Sequence, residues 1–153
     1  MPFRSPPLLQ ETIEVYGTAL HRIKALKDFG NVKKGELGGY VESERNLSQE
    51  GNCWVYDNAR VYSNAKVFGN AEVCGNAEVF GNADYITIKG LGSKYRNTTI
   101  FRTKENIAVK CGCFYGTLAE FVDKVKETHG NSKFAKEYLA LIDLVKIHFE
   151  LEE

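Results

Sequence analysis

A six-residue repeat in the middle of the chain constrains the fold more than any other feature. From Val55 the sequence reads VYDNAR, VYSNAK, VFGNAE, VCGNAE and VFGNAD. Valine opens each hexad, and asparagine followed by alanine comes near its end. This period suits neither a helix of about 3.6 residues per turn nor one long strand, but it suits a short strand followed by a tight corner. The repeat therefore predicts a mainly β protein with short strands wound in parallel.

Each position of the hexad has a physical reason. Valine favours extended backbone, asparagine and glycine tolerate the left-handed conformation at a corner, and the small alanine fits where the corner turns inward. Three hexads make one triangular winding, so residues three hexads apart are expected to stack, Arg60 with Glu78 and Lys66 with Asp84. Stepping back by hexads places Val41 and Leu47 in the alanine column and starts the stack near residue 37.

The pattern divides one compact domain into three parts. Residues 1–36 are predicted to form a strand or hairpin lead-in, residues 37–86 a repeat of about three coils, and residues 87–153 an α+β cap. In the cap, β-branched alternation predicts strands at 85–89 and 98–103, followed by an extended segment from residue 107. Thr117 with Glu120 forms a capping box before one helix, and Ser132 begins a second. We expect a C-terminal β-hairpin and a two-helix hairpin to cap the stack.

The repeat resembles that of the hexapeptide-repeat proteins, which include acyltransferases and γ-class carbonic anhydrases. The resemblance implies a left-handed parallel β-helix. The longer string LHRIKALKDFGNVKKGELGGYVE from Leu20, with GNCWVYDNA from Gly51, is similar to a subfamily common in phage and mobile elements. The segments CGCFYGTLAEF from Cys111, THG from Thr128 and AKEYLA from Ala135 are similar too. This resemblance implies a phage-encoded protein and supplies no function.

The charge balance limits the classes of partner. Twenty Lys and Arg residues match twenty Asp and Glu residues, so no overall field draws the chain to nucleic acid or to an anionic membrane. The first residues lack the apolar stretch of a signal peptide, and no apolar run is long enough to span a bilayer. We therefore expect a protein of the cytoplasm of an infected bacterial host, without a membrane partner. Its four cysteines are expected to be reduced thiols.

The segment after the repeat carries a candidate anion-binding cradle. Between Lys89 and Lys110, six basic side chains accompany a single acidic one, Glu105. Glycines that expose backbone N–H groups, a hydroxyl, cations and an aromatic ring are the ingredients of a site for a phosphate with its base. The alternative is a loop whose cations are merely solvated. The candidate residues are Gly90, Gly92, Ser93, Lys94, Tyr95, Arg96, Arg102 and Lys104.

No catalytic residue, cofactor or metal is predicted. An acyltransferase of the hexapeptide class needs a histidine base, and a γ-class anhydrase needs three histidines on zinc, but His21, His129 and His148 all lie outside the repeat. Cys111 and Cys113 alternate on an extended segment and are expected to face the same side. With His129 they are candidate metal ligands lacking a fourth, the alternatives being two packed thiols or a Cys113 nucleophile.

Aromatic residues follow the valines and are expected to point outward. This is more apolar surface than a small solenoid leaves in water, so we expect it to be covered by the chain's own helices or by another subunit. A short stack with aromatic faces also favours a homo-oligomer, a dimer or a trimer. The candidate interface residues are Tyr56, Tyr62, Phe68 and Phe80.

Three functions remain open at this point. The first is a non-catalytic binding protein that counters host immunity by binding a defence protein or by sequestering a nucleotide signal. The second is a divergent or inactive hexapeptide acyltransferase, which would bind coenzyme A between coils. The third is a structural module of the virion or of its assembly.

Overall fold

The computed structural model describes residues 11–151, which form a mainly β protein with two α-helices. Residues 1–10 of the predicted lead-in and residues 152–153 of the predicted cap lie outside the described residues. The strands are β1 Thr12–Val15, β2 Thr18–Lys24, β3 Leu37–Val41, β4 Trp54–Val55, β5 Arg60–Val61, β6 Glu72–Val73, β7 Glu78–Val79, β8 Tyr85–Leu91, β9 Arg96–Arg102, β10 Ile107–Cys111 and β11 Phe114–Thr117. The helices are α1 Leu118–His129 and α2 Lys133–His148.

Parallel pairing in the repeat follows the predicted spacing. Trp54 lies beside Glu72 where β4 pairs with β6, and Arg60 lies beside Glu78 where β5 pairs with β7. The prediction that Lys66 pairs with Asp84 is wrong. The Asp84 carboxylate instead accepts a hydrogen bond from Arg102 Nε at 3.1 Å. The three-hexad period is therefore real, but among the described residues Arg60 and Glu78 are neighbours without an ion pair, and Asp84 contacts the cap instead of Lys66.

The first winding is longer than the others, which corrects the predicted upstream register. Val41 pairs with Val61 and Leu47 bridges to Val67, so both occupy the valine column rather than the alanine column. The regular offset resumes after residue 50, because Asn52 and Cys53 both donate backbone hydrogen bonds to Gly69 O. The extra length therefore lies at residues 48–50, where the chain bulges before the corner.

Small and β-branched side chains fill the interior of the windings, as predicted. The repeat valines are fully buried, at 0%, and the alanines of the first four hexads are at most 2% exposed. Trp54 is also fully buried, because the edge of its ring packs on Phe29 with ring centroids 5.3 Å apart. The buried set comprises Val55, Val61, Val67, Val73, Val79, Ala59, Ala65, Ala71 and Ala77.

The lead-in, for which the sequence left a strand or a hairpin open, forms a hairpin that belongs to the same sheet as the repeat. β1 pairs with β2 and β2 with β3, both antiparallel, to give a mixed sheet in the order β1-β2-β3-β5-β7. Arg22 fastens this hairpin to the first corner by donating to Gly38 O at 2.8 Å and to Asp57 O at 3.0 Å. The hairpin thereby covers the first winding.

The cap contains more β-structure than the predicted single hairpin. β8 to β11 form a four-stranded antiparallel sheet in the order β11-β10-β9-β8, and the two helices pack on it around a second apolar cluster. The helix boundaries follow the predicted caps, because Thr117 Oγ1 accepts from Glu120 N and Ser132 Oγ accepts from Ala135 N. Within residues 11–151, no helix combines the length and apolar character needed to cross a membrane.

Candidate binding sites at the junction of the repeat and the cap

A groove of about 660 Å³ lies between the repeat and the cap. One side is formed by β5, β7 and the corners before them, and the other by the 103–106 turn, β11 and the start of α1. Its polar lining residues are Asn58, Arg60, Asn76 and Glu78 from the repeat, and Thr103, Lys104, Glu105, Asn106, Tyr115, Thr117 and Glu120 from the cap. Among the described residues that line it there is no histidine or cysteine.

The cap side of the groove is fixed by the Thr103 hydroxyl. Thr103 Oγ1 donates to Asn106 Oδ1 at 2.8 Å and accepts from the backbone N–H groups of Glu105 and Asn106. An antiparallel bridge between Ala77 and Thr103 then ties this turn to the last winding. The turn predicted at residues 104–106 is therefore rigid, and it holds Lys104 at the mouth of the groove.

Tyr115 forms a wall of the groove and contacts a corner of the repeat. Its ring stacks on Phe101, with centroids 6.3 Å apart and planes at 25°, and 46% of the residue stays exposed. Burial raises the pKa of the Tyr115 phenol, and a backbone hydrogen bond from Asn76 acts in the opposite direction. The ring is thus held in place with part of its surface open to a ligand.

The two cations of the groove have no carboxylate partner. Within the part of the chain that the structure describes, neither Arg60 nor Lys104 forms an ion pair. Glu120, which also lines the groove, is engaged elsewhere, because its Oε1 accepts from the Thr117 backbone N–H at 2.8 Å. The carboxylates of Glu78 and Glu105 line the groove as well, so negative charge on a ligand would have to be met by Arg60 and Lys104 specifically, with the amides and the exposed phenol offering further polar contacts.

The predicted anion cradle is divided by the structure. Gly90 lies near the end of β8, and Gly92, Ser93, Lys94 and Tyr95 lie in the β8–β9 turn, where Gly92 N donates to Glu137 Oε1 at 3.0 Å. A carboxylate thus occupies the donor that a phosphate would need. Arg96 and Arg102 lie at opposite ends of β9, about 20 Å apart along a strand. Residues 90–96 and Arg102 are therefore not brought into one site.

Arg102 and Lys104 belong to other surroundings. Arg102 is held by Asp84, and its guanidinium carbon lies 5.1 Å from the centre of the Phe149 ring. Lys104 lies at the groove, which makes it the one residue of the predicted cradle that lines this site. The charge-rich segment therefore supplies a structural ion pair and a groove cation rather than a single cradle.

Cys111, Cys113 and His129 line one pocket of about 220 Å³, together with Arg96 and Lys124. The expectation that both thiols face the same side of a strand fails at Gly112, where φ is +59° and β10 has ended. Cys111 is buried and accepts from Thr98 Oγ1 at 3.3 Å, whereas Cys113 is exposed. Within residues 11–151, no cluster of three or more His, Cys, Asp or Glu residues has the arrangement of a metal site.

The three histidines lie outside the repeat in the sequence, and one of them contacts its end. His21 is on β2, and His129 stacks on Tyr138 with ring centroids 5.9 Å apart. His148 Nε2 lies 2.7 Å from Ala83 O, which joins the end of α2 to the end of the repeat. In this arrangement none of the three lines the groove.

The four predicted interface aromatics have different surroundings. The N-terminal hairpin, and not the two helices, covers Tyr62, which is buried. Tyr56 is half-buried against the main core. Burial is the largest cause that raises the pKa of each phenol. Phe68 and Phe80 remain 54% and 49% exposed. Burial also raises the pKa of the Cys74 thiol, in the same column, to about 12.

Comparison with known proteins gives one partial similarity. No protein-family model matches the chain. A segment of 38 residues is 50% identical to the "Uncharacterized acetyltransferase YdcK" of Escherichia coli (strain K12). This segment is 25% of the present chain and spans 12% of the length of that protein. The partial similarity and the mainly β fold agree with a relationship to an acetyltransferase, and phage origin stays a prediction.

Proposed function

We propose that the chain is a non-catalytic binding protein that holds a nucleotide-type ligand in the groove between the repeat and the cap. The observation that carries this proposal is the lining of the groove, where Arg60 and Lys104 have no carboxylate partner and Tyr115 presents an open ring face. The cations suit phosphate oxygens, the ring suits a stacked base, and the amides of Asn58 and Asn76 suit base edges or sugar hydroxyls.

The scaffold of this proposal is a short left-handed parallel β-helix. The parallel ladders of β4 with β6 and of β5 with β7 and the buried valine column support a wound stack. The left-handed sense rests on the resemblance to hexapeptide-repeat proteins.

The positions of the histidines support binding rather than catalysis. Acyl transfer in the hexapeptide class is expected to need a histidine base beside the acyl carrier, and such a base must lie within hydrogen-bonding reach of the group it deprotonates. His148 is committed to Ala83 O and His129 packs on Tyr138, both outside the groove. Sequestration of a nucleotide signal of a host defence system is the biological role that we propose for such a binder.

A divergent or inactive acyltransferase is the second candidate, and the 38-residue similarity to an acetyltransferase favours it. The two candidates differ in their ligand. Calorimetry with coenzyme A tests the second candidate, because an acyltransferase relative is expected to bind coenzyme A between coils rather than in the groove.

The first test is mass spectrometry of small molecules released when the purified protein is denatured, followed by calorimetry with a panel of mononucleotides and cyclic dinucleotides. Arg60→Gln and Lys104→Gln are each expected to weaken binding about tenfold, which corresponds to the loss of one charge-assisted contact of about 1.4 kcal/mol. Lys66→Gln is the matched control, since Lys66 holds the same slot one hexad later and does not line the groove.

The proposal fails if the panel shows no binding, or if Arg60→Gln binds as tightly as the Lys66→Gln control. The biological role has its own test. Expression of the wild type in bacteria that carry a nucleotide-signalling defence should restore phage plating, and Arg60→Gln should not. Recovery of the protein mainly in purified virions would instead indicate the structural role.

A further inference from the structure

The pocket that contains Cys113 is separate from the groove. It lies among the end of β10, the turn into β11, α1 and α2, and it shares no lining residue with the groove. Its volume of about 220 Å³ is below the range of about 300 to 1,000 Å³ that holds drug-sized ligands. Any ligand it holds is therefore smaller than a nucleotide.

One half of this pocket is apolar and well packed. The ring centroids of Phe114 and Phe121 are 5.3 Å apart, and Phe121 meets Tyr138 edge to face at 5.4 Å. Val125 completes this wall from α1. Because Phe121, Val125 and Tyr138 are buried in the second core cluster, the wall is preformed. It offers a fixed surface to an aromatic or short aliphatic group.

The other half carries positive charge. Arg96, Lys124 and the His129 imidazole line the pocket, and no carboxylate is among its described lining residues. The guanidinium of Arg96 lies over Gly112, where a Cβ would come within 2.8 Å of Arg96 Cδ. Within residues 11–151, Arg96 forms no ion pair. Arg96 therefore lines the pocket without a carboxylate partner among the described residues.

Two carboxylates lie near this half, and neither neutralises it. Glu127 Oε1 is 3.8 Å from Lys124 Nζ, and both side chains are more than half exposed, which makes the pair weak. Glu137 lies on α2, but its carboxylate accepts a hydrogen bond from Gly92 N. The basic half of the pocket therefore keeps a positive charge that no lining carboxylate neutralises, beside the apolar wall.

We propose that this pocket binds a small organic anion, with a carboxylate or phosphate head on a single aromatic ring or a short aliphatic body. Arg96 and Lys124 contact the head, because a guanidinium matches the two oxygens of such a group. The body lies against Phe114, Phe121 and Val125 and gains from leaving water. This site goes beyond the proposed function, because the ligand class and the residues both differ from those of the groove.

Cys113 provides a direct reporter for occupancy. It is exposed at the pocket, whereas Cys53, Cys74 and Cys111 are buried. We expect iodoacetamide to modify Cys113 before the other thiols, and phenyl phosphate to slow that reaction. Intact-mass spectrometry measures the extent of modification. The expected protection is about threefold when phenyl phosphate is present at about twice its dissociation constant. Phenol, which has the ring without the charge, should protect much less at the same concentration.

Matched variants assign the protection to the pocket. Lys124→Gln and Arg96→Gln should each reduce it, and Lys126→Gln, two residues along the same helix and outside the lining, should leave it unchanged. Calorimetry with phenyl phosphate on the wild type and these variants gives the same ranking without a label. Arg60→Gln should not alter protection, so failure of the groove and failure of this pocket are distinguishable.

Four results would overturn the proposal. The first is the absence of both protection and calorimetric binding by phenyl phosphate at 10 mM, which is about a hundred times the dissociation constant of about 0.1 mM that one bidentate contact with a buried ring would give. The second is equal protection by phenol. The third is full protection in both Arg96→Gln and Lys124→Gln. Protection by inorganic phosphate equal to that by phenyl phosphate would also overturn it, because the apolar wall would then contribute nothing.

Discussion

The phenol of Tyr115 lies directly over the α-carbon of Gly75, where a Cβ would come within 2.6 Å of Tyr115 Cζ. Gly75 also has a φ of +62°, a conformation that side chains rarely adopt. The pair joins the cap to a corner of the repeat, and Tyr115 at the same time forms a wall of the groove. The packing of the two halves of the molecule therefore depends on the absence of a side chain at residue 75.

Gly75→Ala is expected to lower the free energy of unfolding by about 2 to 4 kcal/mol, from backbone strain and displacement of the Tyr115 ring. Thermal and urea unfolding measure this change. Gly69→Ala is the matched control, because Gly69 has a φ of +68° and open space where its Cβ would lie. It should cost only about 1 to 2 kcal/mol for the strain. Equal losses in the two variants would contradict the contact.

The carboxylate of Asp84 closes the last corner of the repeat. Its Oδ2 accepts from the backbone N–H groups of Phe80 and Gly81, at 3.1 and 3.0 Å, and its Oδ1 accepts from Arg102. Asp84→Ala leaves these donors without an acceptor and is expected to cost about 2 to 4 kcal/mol. Arg102→Gln should cost less than half as much, because the backbone bonds remain. Urea denaturation compares the two, and a larger loss in Arg102→Gln would reverse this assignment.

Glu72 is expected to make stability depend on pH. Burial raises the pKa of its carboxyl above the ordinary value of 4.5, and the charge of Lys110 opposes this only in part. Because its folded-state pKa is raised, the contribution of Glu72 to stability is fully present below about pH 4.5, the ordinary value, and is lost as the pH rises through the folded value. Glu72→Gln should therefore stabilise the protein at pH 7, by an amount that the partial exposure of this side chain keeps small.

The same gain should vanish at pH 4, where the wild-type carboxyl is protonated in both states. Chemical denaturation at pH 4 and pH 7 measures the difference, with Glu78→Gln, in the same slot of the next hexad, as the control. A gain for Glu72→Gln that is the same at both pH values would show that packing, rather than ionisation, causes it.

The exposed rings of Phe68 and Phe80 lead to a prediction about assembly. We propose that they contact a second copy of the chain, to give a dimer or a trimer, since apolar surface of this kind is costly in water. Light scattering of the wild type should give two or three times the chain mass, and Phe68→Ser with Phe80→Ser should give the monomer.

Tyr95→Ser is the control for this experiment, because Tyr95 is 67% exposed but lies in the β8–β9 turn, outside the repeat. A monomeric wild type at the highest soluble concentration, or a Tyr95→Ser variant that dissociates as readily, would contradict the proposed interface.

The interior of the repeat was predictable because one column of side chains has one environment. Val61 and Val79 occupy the same position in successive windings and are both fully buried. The first winding was not predictable to the residue, since its extra length at residues 48–50 carries no side-chain signature. A shift of two residues keeps the alternation of inward and outward side chains, so the hydrophobic pattern accepts both registers.

The sites were predictable only in part because their partners are distant in sequence. The cradle residues have suitable chemistry, but Gly92 N meets Glu137, 45 residues away, across the cap. The groove combines Arg60 with Lys104, which no local pattern connects. One signal was present, since Asn58 and Asn76 are equivalent corner residues of successive windings and both line the groove. Spacing along the repeat brings the residues of one wall together, and tertiary packing supplies the other wall.

The constant offset between Arg60 and Glu78 makes the molecule extensible. A tandem duplication of residues 61–78 would insert one further winding of about 4.8 Å between the two ends while keeping the buried valine and alanine columns continuous. The lead-in hairpin and the C-terminal sheet would simply move apart by that step. The length of such a chain can therefore change by whole windings, through duplication or loss of 18-residue units, while the elements at its two ends are kept.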